Sequence, residues 1–294
     1  MLSISSSDPT CVTILGRPVT VPGEFPNTVA ASSKNNLVCV GTTGAKAGIS
    51  CAPFSTSKGL GQMDALRPFD IDQSTPPVGP TNTVSQTFFS NDQSTLFTTV
   101  KGDPAVNKTG FLSAFSVKNH RRGMSTLAAK DTRSSPNGTA VLFGSAPIPN
   151  RSNSLFVTDA SFGAAILSLD QNSEASVAHA QAIDGQAATC WATISDATRS
   201  AFVTDAGMNR IVEMSLDDAS IISQLDLSAN GDPGLIDLRS AGSFVYALSP
   251  GNGTTMAAVT ALDVSGGQGS MKIAQHFQLA GIAGSTAQGM AVLM

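Results

Sequence analysis

Charge is scarce in this sequence. Only 13% of its 294 residues are charged, about half the roughly 25% of an average globular protein, and the net charge is −4. That balance leaves no basic footprint for nucleic acid. Long apolar runs are missing as well: no stretch of about 18 apolar residues occurs, so no membrane-spanning helix is expected. The chain opens "MLSISSSDP", without the basic segment and apolar core of a signal peptide. There is no G-x-S-x-G elbow, no H-E-x-x-H and no P-loop, since the glycine-rich "GTTGAKAG" lacks the closing Gly-Lys-Ser/Thr. Serine-hydrolase, zincin and nucleotide-binding readings fall away together. Four cysteines occur, Cys11, Cys39, Cys51 and Cys190, with no C-x-x-C and no zinc spacing. Neither a metal nor a cofactor is expected.

Ser, Thr, Gly, Asn and Ala fill the space that charge leaves, and they are arranged in a repeat. "SLFVTDASFGAAILSLD" begins at Ser154 and "SAFVTDAGMNRIVEMSLD" at Ser200, with "FVTD" 46 residues apart. Each copy sits in a larger unit of four short alternating runs separated by turn residues. The unit from Thr189 reads "TCWATIS", "SAFVTD", "RIVEMSLD", "SIISQLDL", which is four antiparallel strands. The layout recurs at Thr28, Thr83, Thr139, Thr189 and Pro233, and "QGMAVLM" starts a sixth at Gly289, at spacings of 55, 56, 50, 44 and 56 residues. Four-stranded units at this period predict an all-β fold, a β-propeller of antiparallel blades. Five full blades are expected over 26–79, 80–135, 138–184, 186–228 and 231–280. Residues 1–22 read as the outer strands of a partial blade, and 286–294 as the innermost strand of a closing one. Asp159 and Asp205 are then equivalent turn residues, each expected to accept bonds from the following backbone N–H groups. Glu213, on a third strand, reads as solvent-facing.

Cys39 in "LVCVG" and Cys51 in "GISCAPF" flank the glycine-rich stretch. If that stretch is a hairpin turn, the two face each other and can form a disulfide; two reduced core thiols are the alternative. Cys190 reads as a small buried hydrophobe. Four N-glycosylation sequons occur, at Asn107, Asn137, Asn150 and Asn252, and they hint at secretion.

The strings "VPGEFPNTVAASSKNNLVCVGTTGAKAG", "STPPVGPTNTVSQTFFS", "LFTTVKGDP", "DTRSSPNGTAVLFGSAPIP" and "LSANGDPGLIDL" resemble the fungal secreted glycoproteins known as 3-carboxymuconate cyclase-like, within the seven-bladed lactonase-type propeller group. The resemblance runs from about Leu2 to Met294. It implies a seven-bladed fold with an N-terminally short chain, and an extracellular or cell-wall location. It also implies a cycloisomerase or lactonase as the enzyme hypothesis, against a binding or surface role.

Cycloisomerase and lactonase chemistry needs cations for carboxylates and a proton donor or base. The three histidines, His120, His179 and His276, all fall in or beside an outermost strand, where surface or edge roles are expected. The starts of the innermost strands are the better place for a ligand. That ring reads Asn27, Asn82, Asn137, Ala188, Asp232 and Gln288, with Arg133 expected to reach it. A small polar ligand can hydrogen-bond there, and an extracellular or cell-wall partner is the other expectation. Trp191, the only Trp, is expected to pack between blades. The shortage of placed acid–base groups favours binding over efficient catalysis.

Overall fold

The computed structural model describes residues 1–119 and 125–293. His120, Arg121 and Arg122 lie outside them. At the N-terminus β1 (Leu2–Ile4) and β2 (Val12–Ile14) pair as an antiparallel hairpin with all six residues exposed. Five sheets follow. The first holds β3 (Pro26–Ser32), β4 (Leu37–Thr42) and β5 (Gly48–Ser55), its fourth position shared by β6 (Gly59–Leu60) and β7 (Arg67–Pro68). The second holds β8 (Val84–Phe89), β9 (Thr95–Val100) and β10 (Phe111–Asn119), with β11 (Ser125–Leu127) and β12 (Thr132–Ser134) both on β10. Blade three is β13 (Leu142–Pro147), β14 (Ser154–Asp159), β15 (Gly163–Leu169) and β16 (Ala175–Ala182). Blade four is β17 (Thr189–Ser195), β18 (Ser200–Asp205), β19 (Arg210–Ser215) and β20 (Ile221–Asp226). Blade five is β21 (Asp237–Ala241), β22 (Phe244–Ser249), β23 (Ala258–Asp263) and β24 (Lys272–Gln278). Every pairing is antiparallel, and among the described residues no helix is long and apolar enough to cross a membrane.

The innermost strands pack in series, β3 on β8, β8 on β13, β13 on β17 and β17 on β21. Four apolar clusters fill the four gaps between neighbouring blades. Ile49, Phe69, Leu96 and Phe115 join blades one and two; Phe88, Leu112, Leu142 and Leu155 join two and three. Phe156, Ile166, Val203 and Met214 join three and four; Phe202, Ile211, Leu238 and Val245 join four and five. Because each middle blade is covered on both faces, its central strands are buried throughout rather than alternately: all six residues of β18 are buried. That explains the misreading of Glu213. It lies on β19 with no exposed surface, and accepts from Ser200 Oγ at 2.7 Å, Ser223 Oγ at 3.0 Å and Gly269 N–H at 2.8 Å.

The two Asp residues of the repeat do more than hold the next turn. Asp159 accepts from Ser161 N–H at 2.9 Å, as an Asx-turn requires. The same carboxylate also takes Ala140 N–H at 2.8 Å and Val141 N–H at 3.0 Å, just before the innermost strand of its own blade. Asp205 repeats this with Gly207, Ala187 and Ala188 at 2.9, 2.8 and 3.0 Å. Each is a clasp between the second strand and the start of the first, and each spends its carboxylate on its own blade.

At the other end, residues 286–293 form no strand, against the expected closing one. Met290 instead lies beside β21, its N–H on Asp237 Oδ2 at 2.8 Å and its carbonyl accepting from Arg239 Nε at 3.2 Å. With no described strand on its far side, the segment has nothing with which to build a ladder.

Candidate functional site

Most of the residues expected to form a ring at the strand starts are engaged within the protein. Strand ends carry backbone groups that need partners, and the asparagines supply them. Asn27, on β3, donates to Val84 O at 2.6 Å across to the next blade; Asn82 donates to Ile71 O at 2.6 Å. Asn137 and Gln288 are exposed, and Ala188 gives its N–H to Asp205. Asp232 stands five residues ahead of β21, and its buried carboxylate meets His276 Nε2 at 3.1 Å on the outermost strand of blade five. Asp232 is thus engaged with the outermost strand, and His276 is correspondingly more than an edge residue. Arg133 is on β12, paired with the third strand of blade two. Its guanidinium lies 4.4 Å from the Phe111 ring and 5.2 Å from Phe69, with Nε on Asp131 at 3.2 Å, so it belongs to the outer part of that blade. His179 is exposed on β16. Cys39 and Cys51 are directly opposite in the β4–β5 ladder and joined by a disulfide.

A different set does come together, one side chain from each of four consecutive blades. Lys101 follows β9, Phe143 lies on β13, Trp191 on β17 and Arg239 on β21. On β13, β17 and β21 these are half-exposed residues next to buried ones, Leu142, Cys190 and Leu238. Lys101 Nζ sits 4.3 Å from the centre of the Phe143 ring; Phe143 and Trp191 meet edge to face at 5.9 Å; the Arg239 guanidinium lies 5.5 Å from the indole. Cation–π attraction accounts for both cation placements. Lys101 is 9% exposed, and among the described residues its amine has neither a carboxylate nor a hydrogen-bond acceptor. Trp191 Nε1 and Asp237 Oδ1 are buried and also lack hydrogen-bond partners; Arg239 Nη1 is 3.6 Å from that oxygen, too far for a hydrogen bond.

The electrostatics follow from burial. Desolvation brings the Lys101 amine down to about 8, with the nearby Cys190 sulfur opposing weakly. The buried Cys190 thiol is pushed up to about 12, again by desolvation, which leaves it neutral and unreactive. Burial also raises Asp237, Arg239 partly offsetting it. Shifted acid and base groups thus stand in one cluster with buried polar atoms that lack hydrogen-bond partners. Two cations and an indole N–H suit a carboxylate. Among the described residues no group of His, Cys, Asp or Glu is arranged to hold a metal.

Lys101 carries a stability cost that pH can remove. The folded protein releases this proton near pH 8, the unfolded chain near 10.5. Between those values the unfolded state binds more protons, so stability rises with pH across that window. Below pH 8 the full cost applies, about 3 kcal/mol from the 2.5-unit difference. Lys101→Met is therefore expected to raise the urea midpoint at pH 7 and to match the wild type by pH 10.5. An equal gain at both pH values, or a loss at both, would show the amine is not the source.

A cavity of about 850 Å³ lies elsewhere, among the turns of blades three, four and five around Arg151, Ser195, Arg199 and Asp217. It shares no residue with the cluster. Its Arg151–Asp217 pair is already neutralised within the protein.

No protein-family model matches the sequence, and no curated protein matches it. Solved structures do. The periplasmic gluconolactonase PpgL of Pseudomonas aeruginosa aligns with a TM-score of 0.68 at 12% identity, over 95% of this chain and 78% of that one. A Bacteroides uniformis protein provisionally assigned as a 6-phosphogluconolactonase gives 0.64 at 15% identity, over 85% and 71%. Sqt1 of Saccharomyces cerevisiae gives 0.58 at 11% identity, over 90% and 66%. At such identities the likeness is one of fold, and the fold of this chain is a β-propeller.

Proposed function

We propose that this is a secreted or cell-wall propeller glycoprotein, related to the fungal 3-carboxymuconate cyclase-like proteins, that binds a small carboxylate-bearing molecule between Lys101, Trp191 and Arg239. The observation that carries the binding role is a Lys101 amine without a carboxylate partner and, on the far side of Phe143, an indole N–H without a hydrogen-bond partner. A bound carboxylate supplies what both lack. The Cys39–Cys51 disulfide supports an oxidising compartment, and Asn107, Asn137, Asn150 and Asn252 are all exposed and open to glycosylation. A second reading, a cofactor-independent cycloisomerase or lactonase, is favoured by one pairing. Asp237 keeps its proton to higher pH than an ordinary carboxyl, while Lys101 loses its proton at lower pH than an ordinary amine.

Calorimetric titration with 3-carboxymuconate and with gluconate tests the first reading. Arg239→Gln is expected to weaken binding by about tenfold or more, the scale of one charge-assisted contact. Unchanged affinity in that variant removes the site from consideration. Turnover of 3-carboxymuconate or a simple lactone, followed by ultraviolet absorbance and abolished by Asp237→Asn, would establish the enzyme instead.

A further inference from the structure

We propose that Lys101 is a nucleophilic amine that forms an imine with small aldehydes or ketones carrying a carboxylate. The inference rests on the reading of the Lys101–Arg239 cluster as a ligand site, and goes beyond it by naming a covalent step and a substrate class.

Three features of the geometry support it. First, the amine is held over the Phe143 ring, with no carboxylate or carbonyl to keep it a solvated ammonium ion. An aromatic face attracts the cation but offers its protons no carboxylate or carbonyl acceptor, so burial acts against the charged form with little to offset it. The one titratable group that acts on the amine from a packed element is the Cys190 thiol, itself kept neutral. Second, the cluster supplies recognition for the rest of such a substrate: Arg239 for the carboxylate and the unpartnered Trp191 Nε1 for a second oxygen. Third, the competing nucleophile is silent, because the Cys190 sulfur is buried and donates to Ile236 O at 3.8 Å.

The step balances without a further reactant. The neutral amine attacks the carbonyl carbon, and the C=O π electrons pass to oxygen. One proton moves from nitrogen to that oxygen, giving a carbinolamine. Loss of water, with one proton taken from solvent in place of the one the ammonium first gave up, leaves a C=N bond to Nζ as an iminium ion beside the aromatic face that already accommodates a cation. Desolvated lysines are nucleophilic for this reason.

The test uses the intact protein with succinic semialdehyde and cyanoborohydride at pH 8, butyraldehyde as the partner without a carboxylate, and peptide mass mapping of reduced adducts. Lys101 is expected to label at least about tenfold faster than the exposed Lys34, Lys58, Lys118 and Lys272, because burial brings its amine down to about 8. Arg239→Gln is expected to slow labelling by the semialdehyde and leave butyraldehyde unaffected. Labelling of Lys101 no faster than the exposed lysines overturns the proposal. Fast labelling that ignores the carboxylate, equal for both aldehydes and indifferent to Arg239, keeps the nucleophile but overturns the carboxylate site on which the function was read.

Discussion

Glu213→Ala is expected to destabilise the protein by about 4 kcal/mol, close to the whole margin of many domains. The carboxylate is fully buried in β19, and every partner around it is a donor: two serine hydroxyls from its own blade and the N–H of Gly269 from the turn between β23 and β24. Alanine leaves those donors facing a void. Each unsatisfied buried donor costs about 1–3 kcal/mol, and the lost volume adds to this. Gly269 belongs to blade five, so the same residue ties two blades together. Glu213→Gln separates packing from charge, since it keeps the volume but turns one acceptor into a donor; an intermediate loss of about 2 kcal/mol is expected. Urea unfolding of the two variants checks this. An alanine variant within 1 kcal/mol of the wild type would mean the three bonds are dispensable.

Asp159→Asn is expected to cost about 3 kcal/mol, and Asp205→Asn about the same. Both oxygens of Asp159 accept from backbone N–H groups at the start of β13, and Oδ1 also holds Ser161. An amide in its place points its own N–H at one of those donors, so one clasp becomes a repulsion. The two aspartates share no hydrogen-bond partner, and the double variant should lose the sum to within about 0.5 kcal/mol. Guanidinium midpoints of the singles and the double measure it. A double variant no worse than either single would show the two clasps to be one cooperative unit.

The blade period was legible because "FVTD" is repeated where a physical device is repeated. The strands of blades two to five lie where alternating runs and turn residues put them. Alternation failed where sheets stack on both sides. A buried third-strand Glu213 looks the same in sequence as a solvated one, and only the neighbouring blade makes the difference. The strand-start residues are engaged within the protein for a related reason. Asn27 and Asn82 have the chemistry of ligand contacts, but free backbone groups nearby use it first. Asp232 and Arg133 were placed by distance along the chain, whereas side chains on a propeller reach outward as readily as inward. Lys101 in "TTVKGDP" carries no local signal at all. What distinguishes it is the carboxylate it does not meet, and an absent contact has no sequence. Trp191 was legible as packing between blades, since it borders the cluster joining four and five. Its unpartnered nitrogen was not.

The serial packing of the innermost strands has a consequence for whatever occupies the cluster. Lys101, Phe143, Trp191 and Arg239 come from blades two, three, four and five, while each apolar gap couples a blade to its neighbours alone. A molecule touching both Lys101 and Arg239 is therefore a brace across three gaps at once. Its affinity is thermodynamically linked to all three being closed, and by the same linkage its presence holds them shut.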